Sequence, residues 1–355
     1  MLTTVEIKAF RCFQDLKVSG LSRVNLIGGK NNSGKTAFLE AILLLATPPA
    51  QAALTIKESR RESVEVLKAL PERAWDTFFF NRQKHDPIEL AAYQDDQVCQ
   101  TTTISFKASV SQELLIKHGV QDPEDFLSAM SRAAALNFQV SGDRPTKQVS
   151  LVAGSRGIFA FGDQSSSSTI PLIPSGSRTD TKDLTTAYDR ARLDDKEADV
   201  LQALQILDPA IVGIESFSVG EPTLYLTRTG QARLPIAAFG DAVNRIADII
   251  LKLINNEHKV MLIDEIENGI HYSSQVDFWK LLIELTEKLN VQIFATTHSL
   301  EMIRAFATAG LALNPLSCAY LELARHETTG KIIAIHRDLE SLDYALERGK
   351  GVRGE

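Results

Sequence analysis

Residues Gly29-Lys30-Asn31-Asn32-Ser33-Gly34-Lys35-Thr36 spell an uninterrupted G-x-x-x-x-G-K-[ST] pattern. Small residues at this spacing let successive backbone N–H groups turn inward as an anion nest. Lys35 can then place its charge on β- and γ-phosphates, and the Thr36 hydroxyl can ligate Mg²⁺. The implied ligand is a nucleoside triphosphate, held by Gly29, Lys30, Asn31, Asn32, Ser33, Gly34, Lys35, Thr36 and the following Ala37. A glycine-rich turn can match the pattern by chance, and the flanks decide between the two readings. Residues 23–27 read as a short apolar strand, and residues 37–45 as a helix that stops before Pro48-Pro49. A helix N-terminus therefore points at the phosphates.

Val260-Met261-Leu262-Ile263-Asp264-Glu265 sets two acids after an apolar run. Such a run suits a central parallel strand buried on both faces, and ligands of open α/β sheets bind at the carboxyl ends of strands. Asp264 can hold Mg²⁺ through water, and Glu265 can take a proton from an attacking water. Alone, the segment reads equally well as a strand ending in a solvated acidic turn. The upstream phosphate loop favours the metal, because a triphosphate needs its cation held from a second strand. Val291-Gln292-Ile293-Phe294-Ala295-Thr296-Thr297-His298-Ser299 repeats the form. His298 can hydrogen-bond a γ-phosphate or position water, with a purely structural histidine as the alternative. A strand–helix–strand step from Asp264-Glu265 would set His298 on a neighbouring strand end, beside the same phosphates.

The elements that must position these residues are partly readable. Residues 3–10 alternate as a strand, with a second around 16–18. Residues 54–70 have helical periodicity that Pro71 ends. Residues 88–93 and 102–106 read as paired strands around the turn Asp95-Asp96. Residues 123–136 read as a helix, and residues 138–161 as short strands broken at Ser141-Gly142-Asp143 and Gly154-Ser155-Arg156-Gly157. The serine-rich stretch 164–169 reads as a flexible loop. Residues 185–207 are helical, and 217–219 with 223–227 make a hairpin. A helix at 241–254, a strand at 260–263, a helix at 273–289 and a strand at 291–295 alternate as in a parallel sheet. The expected organisation is a first lobe with the phosphate loop at 1–120, a helical and β insertion at 121–200, and a second lobe at 201–355.

With 44% apolar residues the chain can bury a sizeable core. A net charge of -7 gives no global attraction to nucleic acid but leaves room for a local basic patch. Cys12, Cys99 and Cys318 form no C-x-x-C pair and suit reduced thiols in a cytoplasmic protein. No apolar run approaches the ~18 residues that span a bilayer, and the N-terminus lacks a signal-peptide pattern. The histidines include no H-x-x-x-H pair, which disfavours zinc. Arg60-Arg61, Arg190 and Arg192 read better as exposed helix surface than as nucleic-acid contacts. No N-K-x-D motif is present, so ATP is expected rather than GTP.

The phosphate loop, the strand ending Asp264-Glu265 and the strand ending Thr297-His298-Ser299 together resemble the ABC-type ATPase heads of the SMC, RecF and OLD (overcoming lysogenisation defect) families. The opening Ile7-Lys8-Ala9-Phe10-Arg11-Cys12-Phe13 is similar to their "x-N-F-R-x-F" start, and Asp264-Glu265-Ile266-Glu267-Asn268-Gly269-Ile270-His271 to the "D-E-P-E-x-x-L-H" stretch of OLD-like AAA ATPases. Leu234 to Asp241 stands where those heads carry the ABC signature. The resemblance implies an α/β P-loop NTPase, an ABC-ATPase-like head with an N-terminal mixed β lobe and a helical and β insertion. It implies that Lys35 binds phosphate and serves catalysis, that Thr36 and Asp264 serve Mg²⁺, that Glu265 is the catalytic base and His298 the switch histidine. Gly240 would approach a γ-phosphate bound on a second protomer, so that ATP joins two heads head to tail. Gln83 is the candidate for the Q-loop glutamine. The pattern departs from the family's in three ways. Ala238 and Phe239 stand where the signature has Ser and Gly. The stretch between Lys35 and Asp264 is too short for an SMC rod. No acidic nuclease motif follows His298, so the expectation is an OLD-like head without a TOPRIM nuclease.

Two functions fit these expectations. One is an ATPase whose ATP-dependent homodimer or higher oligomer gates an effector or nuclease partner, and through it DNA, in antiviral defence or repair. The other is a nucleotide-dependent module that sequesters a partner with little turnover. A stand-alone nuclease is disfavoured by the missing acidic cluster, and no membrane partner is expected.

Overall fold

The computed structural model describes residues 1–142, 145–163, 169–176 and 179–348. The chain opens with β1 (Thr4–Phe10), β2 (Phe13–Ser19) and β3 (Val24–Gly28), then α1 (Lys35–Ala46), α2 (Pro49–Ser59) and α3 (Val64–Ala69). There follow β4 (Ile88–Gln94), β5 (Gln97–Lys107), α4 (Gln112–Lys117), α5 (Pro123–Ala129), β6 (Ala134–Gly142), β7 (Lys147–Gly154) and β8 (Gly157–Gly162). Next come β9 (Leu172–Ile173), α6 (Thr181–Leu193), α7 (Glu197–Leu207), β10 (Ile211–Phe217), β11 (Thr223–Arg228), β12 (Leu234–Pro235) and α8 (Asp241–Ile254). The last part is β13 (Val260–Ile263), α9 (Gln275–Leu289), β14 (Gln292–Thr296), α10 (Leu300–Leu313), β15 (Cys318–Arg325), β16 (Ile332–Arg337) and α11 (Leu339–Glu347).

These strands form a seven-stranded sheet, β2-β1-β4-β5-β6-β7-β8, a six-stranded sheet, β16-β15-β3-β14-β13-β9, and a small sheet, β10-β11-β12. The first is antiparallel at every pairing. In the second, β15, β3, β14, β13 and β9 run parallel and only β16 reverses. β3 lies beside β14, and β14 beside β13. The carboxyl ends of the three motif-bearing strands are therefore side by side.

Helix α1 is apolar nearly all round because it lies between the two large sheets, touching β1, β4 and β5 on one side and β13 and β14 on the other. Phe38, Ile42 and Leu44 belong to the core there, and a helix buried on every side has no amphipathic face to show. The other face of the central sheet is covered by α6 to α11, whose core includes Trp279, Phe278 and Phe306. Among the described residues no helix is long and apolar enough to cross a membrane.

Local reading and structure part company at three helices. The single helix expected at 54–70 is α2 and α3, separated where Arg61 takes a left-handed φ of 53°. Lys57 is pulled inward there, its Nζ 2.7 Å from Glu62 Oε2. The helix expected at 123–136 stops at Ala129, because Ala135 and Leu136 pair with β5 and β7. The helix expected at 185–207 is α6 and α7, broken at Asp195 with φ 55°. β6, β7 and β8 extend the sheet begun by β1, so that sheet takes strands from both sides of residue 120. Of the serine-rich loop at 164–169, residues 164–168 lie outside the described residues.

Candidate active site

The phosphate loop turns between β3 and α1. Gly29 has φ 144° and Gly34 has φ 96°, regions that side chains rarely adopt. Space is as restrictive as conformation at both. A Cβ on Gly29 would lie 2.4 Å from Leu323 O, and one on Gly34 would lie 2.7 Å from the Phe13 ring and 2.8 Å from Cys12 Sγ. The β1–β2 turn thus seats directly on the loop. Ala37 is buried in the first turn of α1, Lys30, Asn31 and Asn32 form the loop's exposed arc, and Ser33 is buried behind them.

Lys35 Nζ donates to the loop's own carbonyls, Gly29 O at 2.7 Å and Lys30 O at 3.0 Å. Burial lowers its pKa, opposed by Asp264, Glu267 and Glu265. The ammonium is therefore held in place, short of full compensation for its lost water. A phosphate group would supply that compensation.

Asp264 directly follows β13 and is buried. The Thr36 hydroxyl donates to it at 3.1 Å from Oδ2, and the Thr296 hydroxyl donates to Oδ1 at 2.6 Å. Thr296 also accepts the Glu265 N–H at 2.8 Å. Desolvation raises the Asp264 carboxyl's pKa, and the two threonine hydrogen bonds pull it back down. A desolvated carboxylate beside a hydroxyl is a hard oxygen donor pair of the kind Mg²⁺ takes. Among the described residues no group of three or more His, Cys, Asp and Glu could hold a metal alone. A cation on Thr36 and Asp264 would thus complete its shell with phosphate oxygens and water.

Glu265 has a left-handed backbone, φ 49°. Its Oε2 accepts from Asn268 Nδ2 at 3.0 Å. Arg245, from α8, braces the backbone behind the acids: Nη2 donates to Asp264 O at 2.8 Å and Glu265 O at 3.0 Å, and Nη1 to Pro174 O at 3.2 Å. His298 follows β14 and its ring is half-exposed. Its Nδ1 lies 3.0 Å from Glu267 Oε1 and 3.9 Å from Glu265 Oε1.

A cleft of about 1340 Å³ joins Asn31, Asn32, Lys35, Thr36, Asp264 and Glu265. The expected P-loop and strand-end acids are thereby brought together, and His298 stands beside Glu265. Gly240 caps α8 with φ 90° and ψ 175° and is not part of the cleft wall. Gln83 is exposed and also lies off the wall, which is made instead by Asn81 and Arg82. Both of these have left-handed φ, 50° and 59°.

Sequence reasoning missed a buried ion cluster on this wall. Glu40, on α1, accepts from Arg11 Nε at 3.0 Å and Arg60 Nη2 at 3.1 Å. Arg11 also donates to Thr77 O at 2.7 Å, tying the β1–β2 turn to the segment before Asn81. Arg60 and Arg61, just past the end of α2, are exposed as expected and also line the cleft. The available signal was Glu40 itself, a lone acid in an otherwise apolar helix, since a buried carboxylate requires a cation.

A family model described as "AAA domain, putative AbiEii toxin, Type IV TA system" matches residues 24–304. That span holds all three motifs. A Helicobacter pylori protein named "ATP/GTP phosphatase" is 23% identical over 330 residues, covering 85% of this chain and 86% of that one. "Uncharacterized protein MJECL10" of Methanocaldococcus jannaschii is 40% identical over 57 residues, 16% of this chain and 26% of that one. Among solved structures, an Smc head bound to the C-winged helix domain of ScpA superposes with a TM-score of 0.50 at 10% identity, over 96% of this chain and 98% of that one. The last likeness is one of fold, an ABC-ATPase-like P-loop head.

Proposed function

The chain belongs to the family described above as an AAA domain, and from that premise we propose that it hydrolyses ATP with Mg²⁺ and uses the ATP to join a second copy of itself head to tail. The assembly gates an effector or nuclease partner, and through it an activity on DNA. The resemblance to OLD-like heads makes antiviral defence or DNA repair the setting. The observation that carries the reading is the convergence of Lys35, Thr36, Asp264 and Glu265 on one cleft, from the ends of β3 and β13, the parallel strands on either side of β14.

The chain's residues divide the work. The loop from Gly29 to Ala37 wraps the phosphates with backbone N–H groups and the α1 N-terminus. Lys35 exchanges its two carbonyl partners for phosphate oxygens. Thr36 and Asp264 would hold Mg²⁺, which when bound neutralises charge on the β- and γ-phosphates. Glu265 takes the proton of the attacking water, and His298 orders the same space from the next strand. Gly240, free of a side chain, offers backbone and helix dipole to the phosphate bound on the other protomer.

A second reading has its own support. Glu265 Oε2 is already bonded to Asn268, which also donates to Ser175 O at 2.9 Å. A base held this way suits a slow ATPase that binds and sequesters a partner in one nucleotide state. Light scattering in ATP–Mg²⁺ with a phosphate-release assay, on wild type and Glu265→Gln, separates the two. The switch reading predicts turnover by wild type and accumulation of an ATP-held assembly by the variant. No turnover, with one oligomeric state in both proteins whether or not ATP is present, would sink it.

A further inference from the structure

The stretch Asp264-Glu265-Ile266-Glu267 contains a third acid to which the reading above gives no role. Glu267 is 9% exposed at its side chain, although it sits in a turn at the edge of the site. Its Oε1 accepts the backbone N–H of His298 at 2.8 Å and faces the same residue's Nδ1 at 3.0 Å. The other oxygen, Oε2, is buried with no hydrogen-bond partner among the described residues. The turn is laced to the end of β14 by two more bonds, Glu265 N to Thr296 Oγ1 at 2.8 Å and Ile266 N to Thr296 O at 3.0 Å. The backbone leading into Glu267 is thus tied to the end of β14, and a buried carboxylate with one oxygen otherwise unused is a strong acceptor.

We infer that Glu267 positions His298 by fixing which ring nitrogen carries the proton. Nδ1 sits between two carboxylates and lies nearer Glu267 by the difference between 3.0 and 3.9 Å. Nδ1 therefore keeps its proton for Glu267, and Nε2 is a lone-pair atom whenever the ring is neutral. A neutral His298 accepts a hydrogen bond, as from water, and donates to a phosphoryl oxygen only as the imidazolium. Glu267 also holds the ring nearer to itself, leaving Glu265 the more distant of the two carboxylates. This inference rests on the reading of Glu265 and His298 as the hydrolytic pair.

The test uses the full chain with ¹⁵N-labelled histidine. His298→Asn identifies the ring signals of His298 by difference. Wild type should show a protonated Nδ1 and a bare Nε2. Glu267→Ala should lose that pattern, and phosphate release should show kcat lower by about ten- to a hundredfold, as for other carboxylates that orient a functional histidine. KM for ATP should stay within about twofold, because the phosphate loop is untouched. Glu267→Gln keeps an acceptor oxygen and should keep both the ring pattern and most of the turnover. Identical His298 signals in wild type and Glu267→Ala would overturn the inference, as would equal loss of turnover in the Ala and Gln variants. If wild type does not turn over, the hydrolytic reading fails, and the ring signals alone still decide whether Glu267 sets the tautomer.

Discussion

Thr296 shows how much of this site rests on a residue without obvious chemistry. Its hydroxyl is fully buried, gives its proton to Asp264 and takes one from the Glu265 amide, so one side chain sets both acids. Valine has nearly the same shape but no hydroxyl. Thr296→Val should leave Asp264 short of a donor in a desolvated site and the Glu265 N–H short of an acceptor, at a cost of about 1–3 kcal/mol in stability. Urea midpoints would measure that cost. Phosphate release should fall further than stability explains, by about tenfold or more, because the carboxylate also loses its orientation. Unchanged turnover at native stability would show that Thr36 alone orients Asp264. The residue was visible in the sequence as the Thr before Thr297-His298-Ser299. Its role was not, because a hydroxyl bridging two backbone-adjacent acids is a property of strand register. Here Ile263 pairs with Ala295.

At the scale of elements, the most local signals are the most self-sufficient, and α11 offers a clean case. Asp338 caps it, accepting from Ser341 N at 2.7 Å and Ser341 Oγ at 2.9 Å, and these bonds hold its carboxyl below the usual range. A depressed folded pKa means stability that is present above the unfolded value of about 3.9 and is lost as pH falls through the folded value. Asp338→Ala should therefore cost about 0.5–2 kcal/mol near neutrality. The gap should close in acid, where the wild-type carboxyl is protonated too. Urea midpoints at both pH values check the sign, and a gap that persists in acid would mean that packing, not the cap, is lost. The same locality explains what could be read beforehand. α8, β13, α9 and β14 were legible because each carries its own period and its own stop signals. The breaks at Arg61 and Asp195 and the strand at Ala134 were not, since distant partners decide them: Lys57 with Ala74 O, Lys196 with Ile254 O, and β6 with its two neighbours. Of the site, the phosphate loop, Asp264, Glu265 and His298 could be named from spacing. Arg245, Glu40 with its arginines, and Thr296 could not, because they reach the cleft from elements whose mutual placement only the fold defines.

For the whole molecule, the head-to-tail assembly proposed above makes its most specific demand on Gly240. It holds φ 90° and ψ 175°, a conformation essentially reserved for glycine, yet a Cβ there would meet nothing within 4 Å. Close packing in the protomer therefore gives no reason for the missing side chain. Its neighbourhood is well anchored: the Gly240 carbonyl accepts from Asn244 Nδ2 at 2.9 Å, and the turn after Glu265 packs so closely on α8 that a Cβ on Gly269 would lie 3.3 Å from Ala242 Cα. The start of α8 is thus carried with the turn that holds Glu265, while Gly240 is not part of its own cleft's wall. In the head-to-tail assembly proposed above, that end of α8 would meet the phosphate bound on the other copy, and a methyl group would stand between donor and ligand. Gly240→Ala carries a backbone strain of about 1–3 kcal/mol, so the comparison needs a stability control, thermal melting with and without nucleotide. The expected result is a folded protomer that binds ATP with wild-type affinity, measured by calorimetry. Placed in the Glu265→Gln background, it should no longer form the ATP-held species seen by light scattering. If the double variant still assembles, the start of α8 is not the surface that meets the second nucleotide, and the partner copy must dock elsewhere. If the single variant loses ATP binding as a monomer, Gly240 serves the cleft of its own chain and the head-to-tail geometry is wrong.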